Sequence, residues 1–297
     1  MYKRFLRAGA GLLTMLAAVS AAAQSGPCVT DDAEREVCLE APAERIVVLA
    51  PSAAELTWSA GAGDRVVGVV EYSDYPEAAQ DVDSVGNHTR VDMEKLLSLE
   101  PDLIVAWLTG NPQEQTDRLQ ELGLTLYFSE PHAFDTIASN IERLAVLAGT
   151  EETGHAVAQD FRAGIAELQA EYAGADPVSV FYQVWDQPLM TINGEHFINQ
   201  AIALCGGQNI FADLPRLAPQ IDVESVLERD PEAIVVGGMG EDDRGWLEPW
   251  QQYSNLQAVR ADNLFFVPPS TIQRPTRRIL TGAQTLCGKL ETARGRR

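Results

Sequence analysis

From residue 45 onward, short apolar runs alternate with segments whose apolar residues recur at spacings of three and four, the pattern of strands interleaved with helices. Arg45-Ile46-Val47-Val48-Leu49 predicts a buried strand that leads through Pro51-Ser52 into a helix reaching Trp58. Arg65 to Val70, Asp102 to Ala106 and Thr125 to Phe128 predict further strands. The alternation restarts after residue 177 with Val178 to Val184, Ala233 to Val236 and Asn263 to Val267. Between the two sets lies one long helical stretch, Thr150 to Tyr172, in which Val157, Phe161, Ile165, Leu168 and Tyr172 share a stripe. At 1.5 Å per residue such a helix runs about 34 Å, long enough to flank two lobes and join them. Gly61-Ala62-Gly63 follows a helix and has Val66 where a third glycine would stand, so it reads as a helix stop.

The two sets are related. Val91-Asp92-Met93-Glu94-Lys95-Leu96-Leu97-Ser98-Leu99-Glu100-Pro101-Asp102-Leu103-Ile104-Val105 lines up with the stretch Ile221 to Val235 at a constant offset of 130 residues, with Asp, Glu, Leu, Pro and Val coinciding. Each copy reads as an Asp cap, a helix with acid in its first turn, a proline-bearing turn and a buried strand. The expected fold is therefore α/β, in two similar lobes facing each other across a cleft, and clefts between domains are where small ligands bind.

Composition places the chain among globular proteins, since 45% hydrophobic with 22% charged residues can build a core. A net charge of −21 argues against nucleic acid and anionic membrane surfaces as partners. Lys3, Arg4 and Arg7, the apolar run Ala8 to Val19 and Ala21-Ala22-Ala23 have the order of a secretory signal peptide cut before Gln24. Ser25-Gly26-Pro27 ahead of Cys28 is not a lipobox, so the expectation is an exported chain without a lipid anchor. The expected units are a leader at 1–23, an N-terminal hairpin at 24–44, a first lobe at 45–149, a linking helix at 150–173 and a second lobe at 174–297. The cysteines fit an oxidising compartment and allow three pairings. Cys28 and Cys38 flank a polar turn and are natural neighbours, which leaves Cys205 with Cys287; no Cys-x-x-Cys pair points to a metal instead.

Enzyme signatures are missing from the sequence: it has no Gly-x-Ser-x-Gly, no His-Glu-x-x-His and no Gly-x-x-x-x-Gly-Lys. His88, His132, His155 and His196 lie far apart, and spacing leaves open whether they converge with carboxylates on a metal ion.

Tyr72-Ser73-Asp74-Tyr75-Pro76, Pro101-Asp102-Leu103-Ile104-Val105-Ala106-Trp107, Gly110-Asn111, Cys205-Gly206-Gly207-Gln208-Asn209-Ile210-Phe211 and Arg274-Pro275-Thr276-Arg277-Arg278-Ile279 together resemble the cobalamin-binding periplasmic proteins of vitamin importers. That family sits within a wider group that captures ferric siderophores and haem. The resemblance runs from Arg45 to Cys287 and implies two Rossmann-like lobes joined by a single long helix, the helical-backbone form of periplasmic binding protein. It implies a solute-binding subunit of an ABC importer, a monomer without enzymatic activity or resident cofactor, with a corrinoid as transported ligand and a membrane permease as partner. A haem or ferric-siderophore carrier is the alternative, and a periplasmic enzyme using Asp74, His88 and Arg274 a more distant one.

The family's cleft aromatics match Tyr72 and Trp107, and its cleft arginine matches Arg274. The chain departs from the pattern at His88, where a tryptophan is expected, and near Leu217-Ala218, where a second-lobe tryptophan is replaced; Trp185 is placed to supply aromatic surface there. His88 could ligate cobalt or bond a corrin amide. Glu94 and Glu224 match the glutamates with which the family docks on permease arginines, although acid in a first helical turn is also favoured by the helix dipole alone.

Overall fold

The computed structural model describes residues 26–297, so the expected leader lies outside the described residues. The described residues open on a hairpin, β1 (Cys28–Thr30) and β2 (Glu36–Cys38), in which Cys28 stands opposite Cys38 and is bonded to it. Asp32 in the hairpin turn accepts hydrogen bonds from Asn140 (2.8 Å) and Arg143 (2.6 Å), which dock the hairpin on the first lobe.

The first lobe continues as β3 (Ile46–Val48), α1 (Pro51–Ser59), β4 (Val66–Gly68), the small pair β5 (Gly86–Asn87) and β6 (Arg90–Val91), α2 (Met93–Ser98), β7 (Leu103–Trp107), α3 (Gln113–Glu121), β8 (Leu126–Ser129) and α4 (Phe134–Ala148). Its sheet is parallel, in the order β4-β3-β7-β8. Ile46, Val48, Leu103 and Val105 enter one core with α1 and α4, while Val47, Ile104 and Ala106 enter another with Leu96 of α2 and Leu119 of α3. Both faces of these strands are covered, which is why they read as unbroken apolar runs. The expected strand Arg65 to Val70 is shorter in the structure. Arg65 closes a 3-10 turn at Gly63–Arg65, and its guanidinium reaches the Ala43 and Ala148 carbonyls.

Then comes α5 (Glu151–Tyr172), 22 residues long. It lies against α4 so closely that a Cβ at Gly154 would come within 2.3 Å of the Ala145 Cβ. Phe161 and Leu168 belong to a single apolar core that runs from Val37 in the hairpin to Ala293 near the C-terminus, so the helix is built into both lobes.

The second lobe comprises β9 (Val178–Gln183), α6 (Phe197–Leu204), β10 (Gly207–Asn209), α7 (Val223–Arg229), β11 (Ala233–Val236), α8 (Gln257–Arg260), β12 (Leu264–Phe266), α9 (Pro269–Ile272) and α10 (Ile279–Arg294). Its parallel sheet has the order β10-β9-β11-β12, the same winding as the first. The edge strand β10 has no counterpart in the hydropathy pattern, because Gly-Gln-Asn carries no apolar side chain. The Cys205–Cys287 disulfide ties the end of α6 to α10.

The internal repeat survives in detail. Asp92 caps α2 by accepting from the Lys95 amide (3.0 Å), and Asp222 caps α7 by accepting from the Ser225 amide (2.8 Å). Glu100 and Asp230, each just before a proline, share a left-handed backbone, with φ of 47° and 40°. Asp102 then binds the Glu44 amide (2.8 Å), and Glu232 binds the Ser179 amide (2.8 Å), so each copy anchors the start of its lobe's first strand.

Candidate functional site

In a parallel sheet ligands collect at the carboxyl ends of the strands, where the winding changes direction between neighbouring strands. That point lies between β3 and β7 in the first lobe and between β9 and β11 in the second. Trp107 is the last residue of β7, and it emerges half-exposed from a buried strand. Its ring lies over Gly110, where a Cβ would meet the indole at 1.9 Å, so only glycine fits there. Buried Asn111 holds the neighbourhood together. Its Oδ1 accepts from the Trp107 amide (2.7 Å), and its Nδ2 donates to the carbonyls of Leu49 and His88 (2.9 Å each). One amide thus fixes the loops after β3, after β5 and after β7, and it sets the exposed His88 ring 6.3 Å from the Trp107 ring at a tilt of 42°.

Tyr72 follows β4 in a left-handed backbone (φ 66°), rare for an aromatic residue, and is 76% exposed. Beside it the Ser73 hydroxyl is buried without a hydrogen-bond partner among the described residues. The Tyr72 carbonyl accepts from Arg274 Nη2 at 3.3 Å. Arg274 belongs to the second lobe, yet its Nη1 also reaches Asp74 (2.7 Å) and Glu55 on α1 (2.8 Å) of the first. Thr276 donates to the other Glu55 oxygen at 2.7 Å. Burial raises the Glu55 carboxyl above its ordinary value, against the hydrogen bonds of Arg274 and Thr276 that pull it down. Burial also works against the Arg274 charge, but the hydrogen bonds to Asp74 and Glu55 outweigh it and the guanidinium is held more firmly protonated.

In the second lobe Trp185 stands 42% exposed just past β9, with its indole N–H on the Gln187 carbonyl (3.0 Å) and its ring edge-on to Trp246 at 6.1 Å. Leu217, which occupies the region where a tryptophan was expected, is exposed, as is Met239 in the Gly-rich loop after β11. Glu94 and Glu224 are exposed in the first turns of α2 and α7, and neither forms an ion pair among the described residues. Each helix returns antiparallel to its strands, so both glutamates lie toward the carboxyl edges of the two sheets. Among the described residues no group of three or more His, Cys, Asp or Glu gathers to hold a metal ion.

Residues 46–271 match the model of a family described as periplasmic binding protein. The chain belongs to the periplasmic binding protein family. It is 39% identical over 252 residues to a Vibrio cholerae vitamin B12-binding protein, covering 85% of this chain and 91% of that one. A Yersinia pestis vitamin B12-binding protein is 37% identical over 248 residues, covering 84% and 86%. The crystal structure of the periplasmic vitamin B12-binding protein of Vibrio cholerae superposes with a TM-score of 0.77 at 38% identity, over 85% of this chain and 98% of that one. A haem-binding periplasmic protein of Roseiflexus shares the fold, with a TM-score of 0.75 at 22% identity over 84% and 99%. The relatives are named as binding proteins.

Of the residues that organise the site, Asn111 entered the sequence reading only within the Gly110-Asn111 match to the family, with no role of its own, and Glu55 did not enter it. Asn111 had one visible signal, its place after Gly110 in the loop following a strand, where a side-chain amide can cap backbone groups. Glu55 had none, for in the sequence it is one acid among 43.

Proposed function

We propose that this periplasmic binding protein captures cobalamin or a related corrinoid between its lobes, leaves it chemically unchanged and hands it to the permease of an ABC importer. The observation that carries the proposal is the set of exposed rings at the carboxyl edges of both sheets: Tyr72, His88 and Trp107 in one lobe and Trp185 in the other. A corrin is a broad ring with apolar faces and amide arms, and flat aromatic surfaces flanked by a few polar groups suit it. The identity of 39% to a protein named for vitamin B12 supports the same ligand. In this proposal Tyr72, Trp107 and Trp185 pack on the ring, His88 approaches the cobalt or a corrin amide, and Arg274 borders the ligand from the second lobe.

A helix built into the one core that runs through both lobes makes large hinge motion unfavourable, so capture proceeds with small lobe displacement. Glu94 and Glu224, the matched acids of the repeat, dock on arginines of the permease and align the cleft over the translocation path. The protein acts as a monomer in the periplasm once residues 1–23 are removed. Its working units are the hairpin at 24–44, the lobes at 45–149 and 174–297 and the linking helix at 150–173.

Calorimetry of the mature chain with cyanocobalamin, aquocobalamin, cobinamide, haemin and a ferric siderophore tests the proposal. Saturable 1:1 binding of at least one corrinoid is expected, weakened about tenfold by Trp107→Ala, which corresponds to about 1.4 kcal/mol. Binding of haemin or the siderophore with no corrinoid bound would move the protein to the other branch of the group. An absorbance titration with aquocobalamin separates the roles of His88, because loss of the spectral shift in His88→Ala marks cobalt ligation and an unchanged spectrum rules it out.

A further inference from the structure

Glu55 is 1% exposed, on a helix whose neighbouring residues Ala53, Ala54, Leu56 and Thr57 are themselves buried in the first lobe. Among the described residues, every side-chain partner of its carboxylate comes from the second lobe. Arg274 Nη1 donates to Oε1 at 2.8 Å, Arg278 Nη1 to the same oxygen at 3.4 Å and Thr276 Oγ1 to Oε2 at 2.7 Å. The contact is two-sided, because the same short segment also grips the Tyr72 loop. Arg274 bonds Asp74 and the Tyr72 carbonyl, and the Arg278 guanidinium lies 4.3 Å from the centre of the Tyr75 ring. Thr276, fully buried between them, has its hydroxyl committed to Glu55.

A buried carboxylate is tolerated only while its charge and lone pairs are met. Here they are met entirely across the lobe boundary, so moving the 274–278 segment away from α1 would strand a desolvated anion in the first lobe. Surface ion pairs do not have this property, since water replaces the lost partner at little cost. We propose that Glu55 is a positioning residue that locks the 274–278 segment onto the first lobe, and through Arg274 fixes the Tyr72 loop and the aperture of the cleft at that side. The consequence for ligand retention rests on the corrinoid reading above; the consequence for the lobes does not.

Hydrogen exchange read by mass spectrometry on the ligand-free mature protein provides the ligand-independent test. Glu55→Gln preserves volume and one acceptor but removes the charge that holds both guanidiniums. Faster exchange, by about tenfold, is expected in segments 71–76 and 273–279, with α5 and the β3 and β9 regions unchanged. Thr276→Val, which keeps shape and removes the bond to Glu55 together with the one its oxygen accepts from the Arg278 amide at 3.3 Å, serves where the Glu55 variant folds poorly, and a smaller rise confined to the same segments is expected. Exchange unchanged in both segments in either folded variant would overturn the lock. In stopped-flow displacement of cyanocobalamin, faster release from Glu55→Gln is expected, and release at the wild-type rate despite faster exchange would overturn the positioning role. If the wild-type protein binds no corrinoid, the function proposed above fails and the exchange result alone decides the lock.

Discussion

Replacing Asn111 tests whether the cleft loops are held by one side chain. In Asn111→Ala the Trp107 amide loses its acceptor and the Leu49 and His88 carbonyls lose their donor, three bonds of 2.7 to 2.9 Å at a residue that is 6% exposed. At roughly 0.5 to 1.5 kcal/mol net for each, the expected loss of unfolding free energy is about 2 to 4 kcal/mol. Asn111→Asp is the sharper probe, because it keeps an oxygen for the Trp107 amide while turning a second oxygen toward two carbonyls. A buried anion facing carbonyl dipoles is worse than a void, so Asp should destabilise more than Ala at neutral pH, although it is the closer isostere. Urea unfolding followed by tryptophan fluorescence and far-ultraviolet dichroism measures both, and cyanocobalamin titration of the folded variants should show affinity falling in the same order. An Asp variant as stable as wild type would refute the reasoning, as it would mean that Nδ2 donates nothing of consequence.

Two further perturbations probe the helix that joins the lobes and the cap of α6. Arg162 on α5 grips Glu142 on α4 through two bonds of 2.7 and 2.9 Å, and this hydrogen bonding holds the Glu142 carboxyl below its ordinary value. A depressed carboxylate stabilises the fold above its ordinary titration range and loses that contribution as pH falls through the lowered value. Glu142→Gln should therefore lower stability by about 0.5 to 1 kcal/mol at pH 7, and the gap to wild type should close in thermal melts as the pH falls through the lowered Glu142 value. His196 is pushed down to about 4 by burial and by the nearby His132, while its Nδ1 caps α6 by accepting from the Ile198 amide at 3.2 Å. Because the unfolded chain takes up a proton first, stability falls as pH drops from 6.5 toward 4, by about 2 kcal/mol at pH 5. His196→Asn keeps a capping oxygen and should remove most of that slope; an unchanged slope would place the effect elsewhere.

Much of the architecture was legible along the chain because its causes are local or periodic. Val47 and Ile104 face one core while Ile46, Val48 and Val105 face the other, and strands buried on both sides announce themselves as apolar runs. The 22 residues of α5 and the Asp92 and Asp222 caps follow from spacing and from the preference of a short acidic side chain for a helix start. Tyr72 and Trp107 came forward through the family resemblance, and both are exposed in the structure. Polar β10 was invisible, since its strand geometry comes from pairing with β9 and not from its own residues.

What the sequence by itself determined was the alternation of elements, their duplication and the rod between the halves, all set by neighbours within a few turns of chain. Only the tertiary structure decided which acid meets which base. Glu55 and Arg274 are 219 residues apart, and nothing local distinguishes that carboxylate from the solvated ones around the surface. Their pairing, and the convergence of the Leu49, His88 and Trp107 loops on Asn111, exist because packing of the whole chain brings distant backbone and side chains into one place from which water is excluded.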